Sequence, residues 1–245
     1  MEPSSKQKKQ DFAQLIVFEN DDYILVNKPP RFPTLHERSD PDKQSILEMA
    51  RDYCADAQVC HRLDKETSGI LAIAKNAEAY RHLSLQFEHR QVAKIYHAVV
   101  HGIHDFDYIS VNLPILPLKT GLVKIDYQEG KEAQTFFKTL EAFKQHSLVE
   151  CRPLTGRMHQ IRIHLSILKA PIVGDKQYGG RDVFLSQIKR GFNLKKNTEE
   201  QPLIQRFALH AQCLEFTLLD NTPLQAVAPY PKDIDALLKQ LRKNT

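Results

Sequence analysis

Short apolar runs separated by turn residues set the pattern of this chain. Residues 15–18 and 23–26 are predicted as two strands around the turn Asn20-Asp21-Asp22. Lys28-Pro29-Pro30 then stops regular structure. Ser45 fits the N-cap of a helix that places Ile46, Met49, Ala50 and Tyr53 on one face. Residues 70–74 form an unbroken apolar strand, and Asn76 caps a second helix whose predicted core stripe is Tyr80, Leu83 and Phe87. Further strands are predicted at 94–100, 133–140, 146–151, 212–219 and 224–228. Helices are predicted at 157–169, with Thr155 at its start and Pro171 past its end, and near 233–242. Many strands with few helices, in no regular alternation, predict an α+β fold with a mixed, largely antiparallel central sheet and flanking helices.

At 245 residues, with 42% apolar and 26% charged positions, one large domain is expected. Residues 1–12 are expected to form a disordered basic arm carrying Lys6, Lys8 and Lys9, and 13–245 a single domain. Residues 181–206, with several cations and weak periodicity, are expected as an inserted loop or lid. The four cysteines show no paired spacing, and no signal peptide or long apolar run is present. Reduced thiols, a cytoplasmic location, no membrane partner and no metal are therefore expected. A chain of this length is expected as a monomer.

Net charge is only +4, but its distribution is uneven. Residues 152–169 carry Arg152, Arg157, His159, Arg162, His164 and Lys169 and no acid. A plain solvated face mixes signs, so this stretch is read as facing an anion.

Asp64 lies just ahead of the buried strand at 70–74, where an unpaired carboxylate is costly. Taken alone, a turn aspartate is the plainer reading. Thr67-Ser68-Gly69 adds hydroxyls and a backbone that can approach a ligand closely, and Arg62 lies on the same side of the extended segment. Arg162, at the edge of the stripe Met158, Ile161, Leu165 and Leu168, is a candidate partner that would keep Asp64 ionised; snorkelling to solvent is the alternative. Tyr96, within a strand, reads on spacing alone as packing. Its functional reading is a platform for a planar base. Lys28 could face a phosphate, although a lysine before two prolines is more often a loop residue.

Together these residues resemble a known family. His61-Arg62-Leu63-Asp64 with Thr67-Ser68-Gly69 is similar to the active-site motif of the RluA family of RNA pseudouridine synthases. Lys94-x-Tyr96-x-Ala98-x-Val100-x-Gly102 is similar to its second motif, and Thr155-Gly156-Arg157-x-His159-Gln160-Ile161-Arg162-x-His164-Leu165 to its third. Pro171-Ile172-x-Gly174-Asp175-x-x-Tyr178-Gly179 and Leu209-His210-Ala211 follow in the family's order. The resemblance implies the pseudouridine synthase catalytic fold with a central cleft. It implies an isomerase that cleaves the N1–C1′ bond of a uridine in structured RNA (ribosomal or transfer), rotates the base and rejoins it through C5. It makes Asp64 the essential aspartate, Arg162 its ion-pair partner, Tyr96 the aromatic against the base, and Arg62 the residue filling the space of the extruded uridine. His61, Thr67, Arg157 and His159 would contact the RNA, and no cofactor is implied. Nothing before residue 15 resembles the small S4 domain of many relatives. Arg31 stands where relatives commonly have Gly, and Phe216-Thr217-Leu218-Leu219-Asp220 lacks a usual His-Pro.

Two readings of other classes remain at this stage. A non-catalytic RNA-binding protein or chaperone would need only the basic stretch at 152–169. A glycosidic hydrolase would pair Asp64 with Glu66, which alternate onto one side of an extended segment.

Overall fold

The first edge of the sheet follows the predicted pattern closely. The computed structural model describes residues 11–36, 43–194 and 198–244, so the expected basic arm at 1–12 lies outside the described residues up to residue 10. Phe12, at its end, is buried in a short 3₁₀ turn (Phe12–Leu15) and its ring lies 5.5 Å from that of Tyr53. Strands β1 (Ile16–Glu19) and β2 (Tyr23–Lys28) pair antiparallel, and the Asn20 carboxamide oxygen accepts the amides of Asp22 and Tyr23 to close their turn. Helix α1 (Ile46–Tyr53) begins in a capping box between Ser45 and Glu48. After β3 (Gln58–Val59) comes β4 (Ser68–Ala74), every residue of which is buried. That is why it reads as a continuous apolar run rather than an alternation.

Asn76 caps α2 (Ala77–Glu88), as predicted. The buried face is not the predicted stripe, however. Ala79, Leu83 and Gln86 are buried, Phe87 is half-buried and Tyr80 is exposed. The helix is rotated because the Gln86 carboxamide pairs with the backbone of Thr217, donating to its carbonyl and accepting from its amide.

The chain continues through β5 (Ala93–His101), β6 (Ile109–Asn112), β7 (Ile115–Pro117), β8 (Val123–Ile125), β9 (Gln134–Ala142) and β10 (His146–Pro153). Helices α3 (Gln160–Ile167) and α4 (Leu185–Ile188), strands β11 (Leu209–Thr217) and β12 (Pro223–Val227), and helix α5 (Lys232–Lys243) complete it. Helix α3 starts later than predicted, and Thr155 does not cap it. The position before the helix is His159, held in the left-handed region at φ +52°. Thr155 instead closes the preceding loop, its hydroxyl donating to Gln160 Oε1 and accepting from the Gln134 amide. The described residues of 181–206 hold only the single turn of α4; both ends pack down, with Val183 and Ile204 buried and the Leu203 amide on the Val183 carbonyl.

Among the described residues the main sheet has ten strands, eight of them in the order β1-β2-β4-β11-β5-β10-β9-β6, with β3 on β4 and β12 on β11. Its pairs are antiparallel except β4–β11. The late strand β11 is thus inserted at the middle, between the two halves of the molecule. One apolar cluster lies around β2, β4, α1 and α2, another around β5, β10, α3 and α5, and Tyr96 packs against both. Across the centre, Ala211 pairs with Gly69 on one side and Tyr96 on the other, and Tyr96 pairs with Cys151. Gly69 has φ +114°, and a Cβ there would lie 2.1 Å from the Ala211 carbonyl oxygen, so the central parallel pair requires glycine.

Candidate active site

The loop that carries Asp64 is pinned from behind. Thr34 Oγ1 donates to the Leu63 carbonyl and accepts the Leu63 amide, and the Thr67 amide closes a turn onto the Asp64 carbonyl. His61 Nε2 accepts the Ala72 amide at 3.0 Å and its ring packs on Phe87. Burial holds its pKa down at about 3, so it is a neutral brace onto β4. Lys28, fully buried, donates from Nζ to the carbonyls of Pro29, Phe32 and Lys65. Its Nζ is thus spent on backbone carbonyls, and burial pulls its pKa to about 7. Buried Arg206 donates from Nη1 to the Glu66 carbonyl at 2.8 Å and from Nη2 to Ser68 Oγ at 3.2 Å, while its fork is held by Asp233 at 2.7 and 3.0 Å. Two buried cations therefore grip consecutive carbonyls behind Asp64. The sequence offers Lys28 as either a phosphate contact or a loop residue, and Arg206 belongs to no motif.

Opposite this loop stands α3 with the strained turn before it. Gln160 locks that turn, accepting from Thr155 Oγ1 and the Arg157 amide and donating to the Gln134 carbonyl and Thr135 Oγ1. Arg162 is buried, not at a half-buried edge. Its Nε and Nη2 bind Asp175 at 2.6 and 2.7 Å, Nη2 also reaches Gln177 Oε1 at 2.7 Å, and the guanidinium carbon lies 4.3 and 4.8 Å from the ring centres of Phe207 and Tyr178. This leaves Nη1 facing the cleft, 3.7 Å from Asp64 Oδ2. The tight bidentate partner of Arg162 is thus Asp175, and Asp64 is within ion-pair distance but not within hydrogen-bond distance. His159 Nε2 lies 3.9 Å from the same Asp64 oxygen.

Asp64, Tyr96, Arg162, Arg62, His61, Thr67, Arg157 and His159 all line one open cleft of about 1280 Å³. They do so in different ways. The Asp64 side chain is one-third exposed, Arg62 and Arg157 are exposed, and Thr67 is buried. Arg157 Nε donates to the Glu132 carbonyl. On the β5 side, Lys94 Nζ donates to the Thr155 carbonyl, and burial lowers its pKa to about 8. Burial raises the Tyr96 phenol, and the Asp64 carboxylate raises it further, so the hydroxyl is protonated near neutrality. The cleft thus offers the Asp64 carboxylate, a neutral aromatic beside it and a rim of cations, with Glu66 and Glu88 also in its lining. That set can accept a planar, uncharged ring attached to a polyanion. Among the described residues no group of His, Cys, Asp and Glu side chains could hold a metal ion.

The comparisons agree with this chemistry. The model of the RNA pseudouridylate synthase family matches residues 22–167. Ribosomal large subunit pseudouridine synthase C of Vibrio vulnificus is 33% identical across 98% of this chain and 73% of its own length. Ribosomal large subunit pseudouridine synthase D of Xanthomonas campestris is 32% identical across 96% of this chain and 72% of its own length. Among solved structures, human RNA pseudouridylate synthase domain containing 4 superposes with a TM-score of 0.73 at 25% identity, over 94% of each chain. The chain belongs to the RNA pseudouridylate synthase family, enzymes that isomerise uridine to pseudouridine in RNA. Its motifs and relatives are of the RluA type, which removes the non-catalytic RNA-binder and the glycosidic hydrolase as readings of this cleft. No helix among the described residues is long and apolar enough to cross a membrane.

Proposed function

We propose that this enzyme modifies uridine in structured ribosomal RNA, as a monomer in the cytoplasm, with Asp64 as the group that acts on the sugar. The observation that carries the site assignment is the Asp64 carboxylate, one-third exposed in the cleft while Lys28, Thr34 and Arg206 behind it are engaged with backbone carbonyls. Cleaving a glycosidic bond builds positive charge at C1′, which an ionised carboxylate stabilises or captures. Chemistry on a base in folded RNA requires the nucleotide to leave the stack. Tyr96 then supports the face of the extruded uracil, and exposed Arg62, two residues from Asp64, fills the space it vacates. Arg157 and the cations of the rim take phosphates, while Arg162, immobilised by Asp175, sets the field around Asp64 without being drawn fully onto it. His61 and Thr67 act through the loop they brace, and His159 faces Asp64 across the cleft.

Ribosomal RNA is favoured by the names of the relatives, several of which are ribosomal large subunit enzymes. The test is a map of pseudouridines in ribosomal and transfer RNA from cells lacking the gene, complemented with wild type or with Asp64→Asn. A ribosomal site lost on deletion and restored by wild type alone supports the proposal. A site lost only in transfer RNA overturns the choice of substrate, and restoration by Asp64→Asn overturns the role of Asp64.

A further inference from the structure

The His159 imidazole is tied at Nδ1, on its far side from Asp64, and that tie sets which nitrogen carries the proton. Tyr178 Oη accepts the Val123 amide at 3.0 Å, and it lies 2.8 Å from His159 Nδ1. The amide fills one acceptor site of the hydroxyl; its O–H needs an acceptor of its own, and His159 Nδ1 lies in reach. An imidazole that accepts at Nδ1 carries its proton at Nε2, the nitrogen 3.9 Å from Asp64 Oδ2. Tyr178 is itself fixed, lying under the Arg162 guanidinium in the turn Lys176–Tyr178. His159 is presented to the cleft by a backbone at φ +52°, a left-handed conformation that a non-glycine residue adopts only when its surroundings impose it.

We propose that His159 is a positioning residue for Asp64, a neutral imidazole whose Nε2–H, set by Tyr178, aims the carboxylate when RNA closes the cleft. The inference rests on Asp64 acting on the sugar. Arg162 Nη1 and His159 Nε2 both lie slightly beyond hydrogen-bond distance from one Asp64 oxygen, so a shift of about 1 Å engages both donors. One brings a charge already shared with Asp175, and the other brings none. The carboxylate is thereby oriented without a second full positive charge quenching it. The charged groups facing the ring are Asp64, Arg162 and Asp175; burial lowers its pKa below the ordinary imidazole value, the Asp64 and Asp175 carboxylates opposing and Arg162 reinforcing it, so the ring is neutral near pH 7. In this tautomer Nε2 cannot take up the proton that leaves C5, so His159 orients and does not act as the base.

The test combines kinetics with a spectroscopic readout that does not depend on turnover. Gln places an N–H donor close to where Nε2–H stands, and Leu places none. His159→Gln is expected to keep kcat within about 3-fold, and His159→Leu to lower it by about 10- to 100-fold with KM unchanged, the scale of one or two tenfold steps for a lost oriented hydrogen bond. In ¹⁵N-labelled wild type at pH 7, His159 is expected as the Nε2–H tautomer, and Tyr178→Phe is expected to mix the two tautomers. An Nδ1–H tautomer or an imidazolium in wild type, or equal loss in the Gln and Leu variants, overturns the proposal. An inactive Asp64→Asn protein with the expected tautomer supports both readings; an active one overturns the role of Asp64 while the tautomer still reports on His159.

Discussion

Asp175 holds the Arg162 fork with two short hydrogen bonds, and both side chains are almost completely excluded from solvent. Removing one member of a buried ion pair leaves the other charge uncompensated, which costs about 3–5 kcal/mol. Asp175→Asn is therefore expected to destabilise the protein by several kcal/mol in urea unfolding and to release Arg162 toward Asp64. Stability within about 0.5 kcal/mol of wild type, the range of an ordinary surface substitution, would show that Asp175 is not the anchor.

Gly69 is the point at which the two halves of the sheet meet. Gly69→Ala would place a methyl group on the Ala211 carbonyl at a positive φ, and the clash is with backbone that cannot rotate away. The expected cost exceeds about 3 kcal/mol, with loss of the β4–β11 pair and displacement of the Asp64 loop. A variant that folds with wild-type midpoint and activity would contradict the register across Gly69, Ala211 and Tyr96.

Acid sensitivity follows from two fully buried histidines. His164 takes the Thr135 hydroxyl at Nδ1, and His210 lies between Ser68 Oγ and the Ala228 carbonyl; burial lowers the pKa of each to about 4. Their folded values lie below the ordinary imidazole value, so the unfolded chain binds the extra protons. The stability they contribute is complete above about pH 6.5 and is lost as pH falls toward 4, by about 1.4 kcal/mol per pH unit for each ring. Urea midpoints at pH 7, 6 and 5 should fall accordingly, and His164→Gln should flatten the dependence. An unchanged slope in that variant would count against the assignment.

Arg157 is exposed on the rim, where a phosphate contact adds affinity without reading sequence. Arg157→Ala should weaken RNA binding uniformly across sequences and reduce the slope of log affinity against log salt by about one. Filter-binding titrations between low and physiological salt measure it. An unaltered slope would place the phosphate path elsewhere.

Local signals in the sequence translated well into elements. Ser45 with Glu48 and Asn76 with its helix are self-contained caps, decided within one turn of chain. The failures are long-range. The rotation of α2 depends on Gln86 meeting Thr217, and the late start of α3 depends on Gln160 recruiting Thr155 back to β9. Short strands β6, β7 and β8 carry too few residues for a period to emerge. Asp64, Tyr96 and Arg162 stand in motifs of the sequence, and the fold brings all three to one cleft. Asp175 stands in a quoted motif without a role there, since nothing local says that its carboxylate meets a guanidinium on α3. Arg31 shows the converse: it departs from the glycine common in relatives and adopts φ +67°, the conformation glycine favours.

In the proposed reaction Asp64 acts on the sugar of a uridine whose C5 hydrogen is then given up. Purified wild type and Asp64→Asn, incubated with ribosomal RNA labelled with tritium at uridine C5, test it most directly. Isomerisation through C5 must release that label to water. Release by wild type, with none above background from a folded Asp64→Asn protein, is the predicted result. Equal release by both proteins would contradict the account.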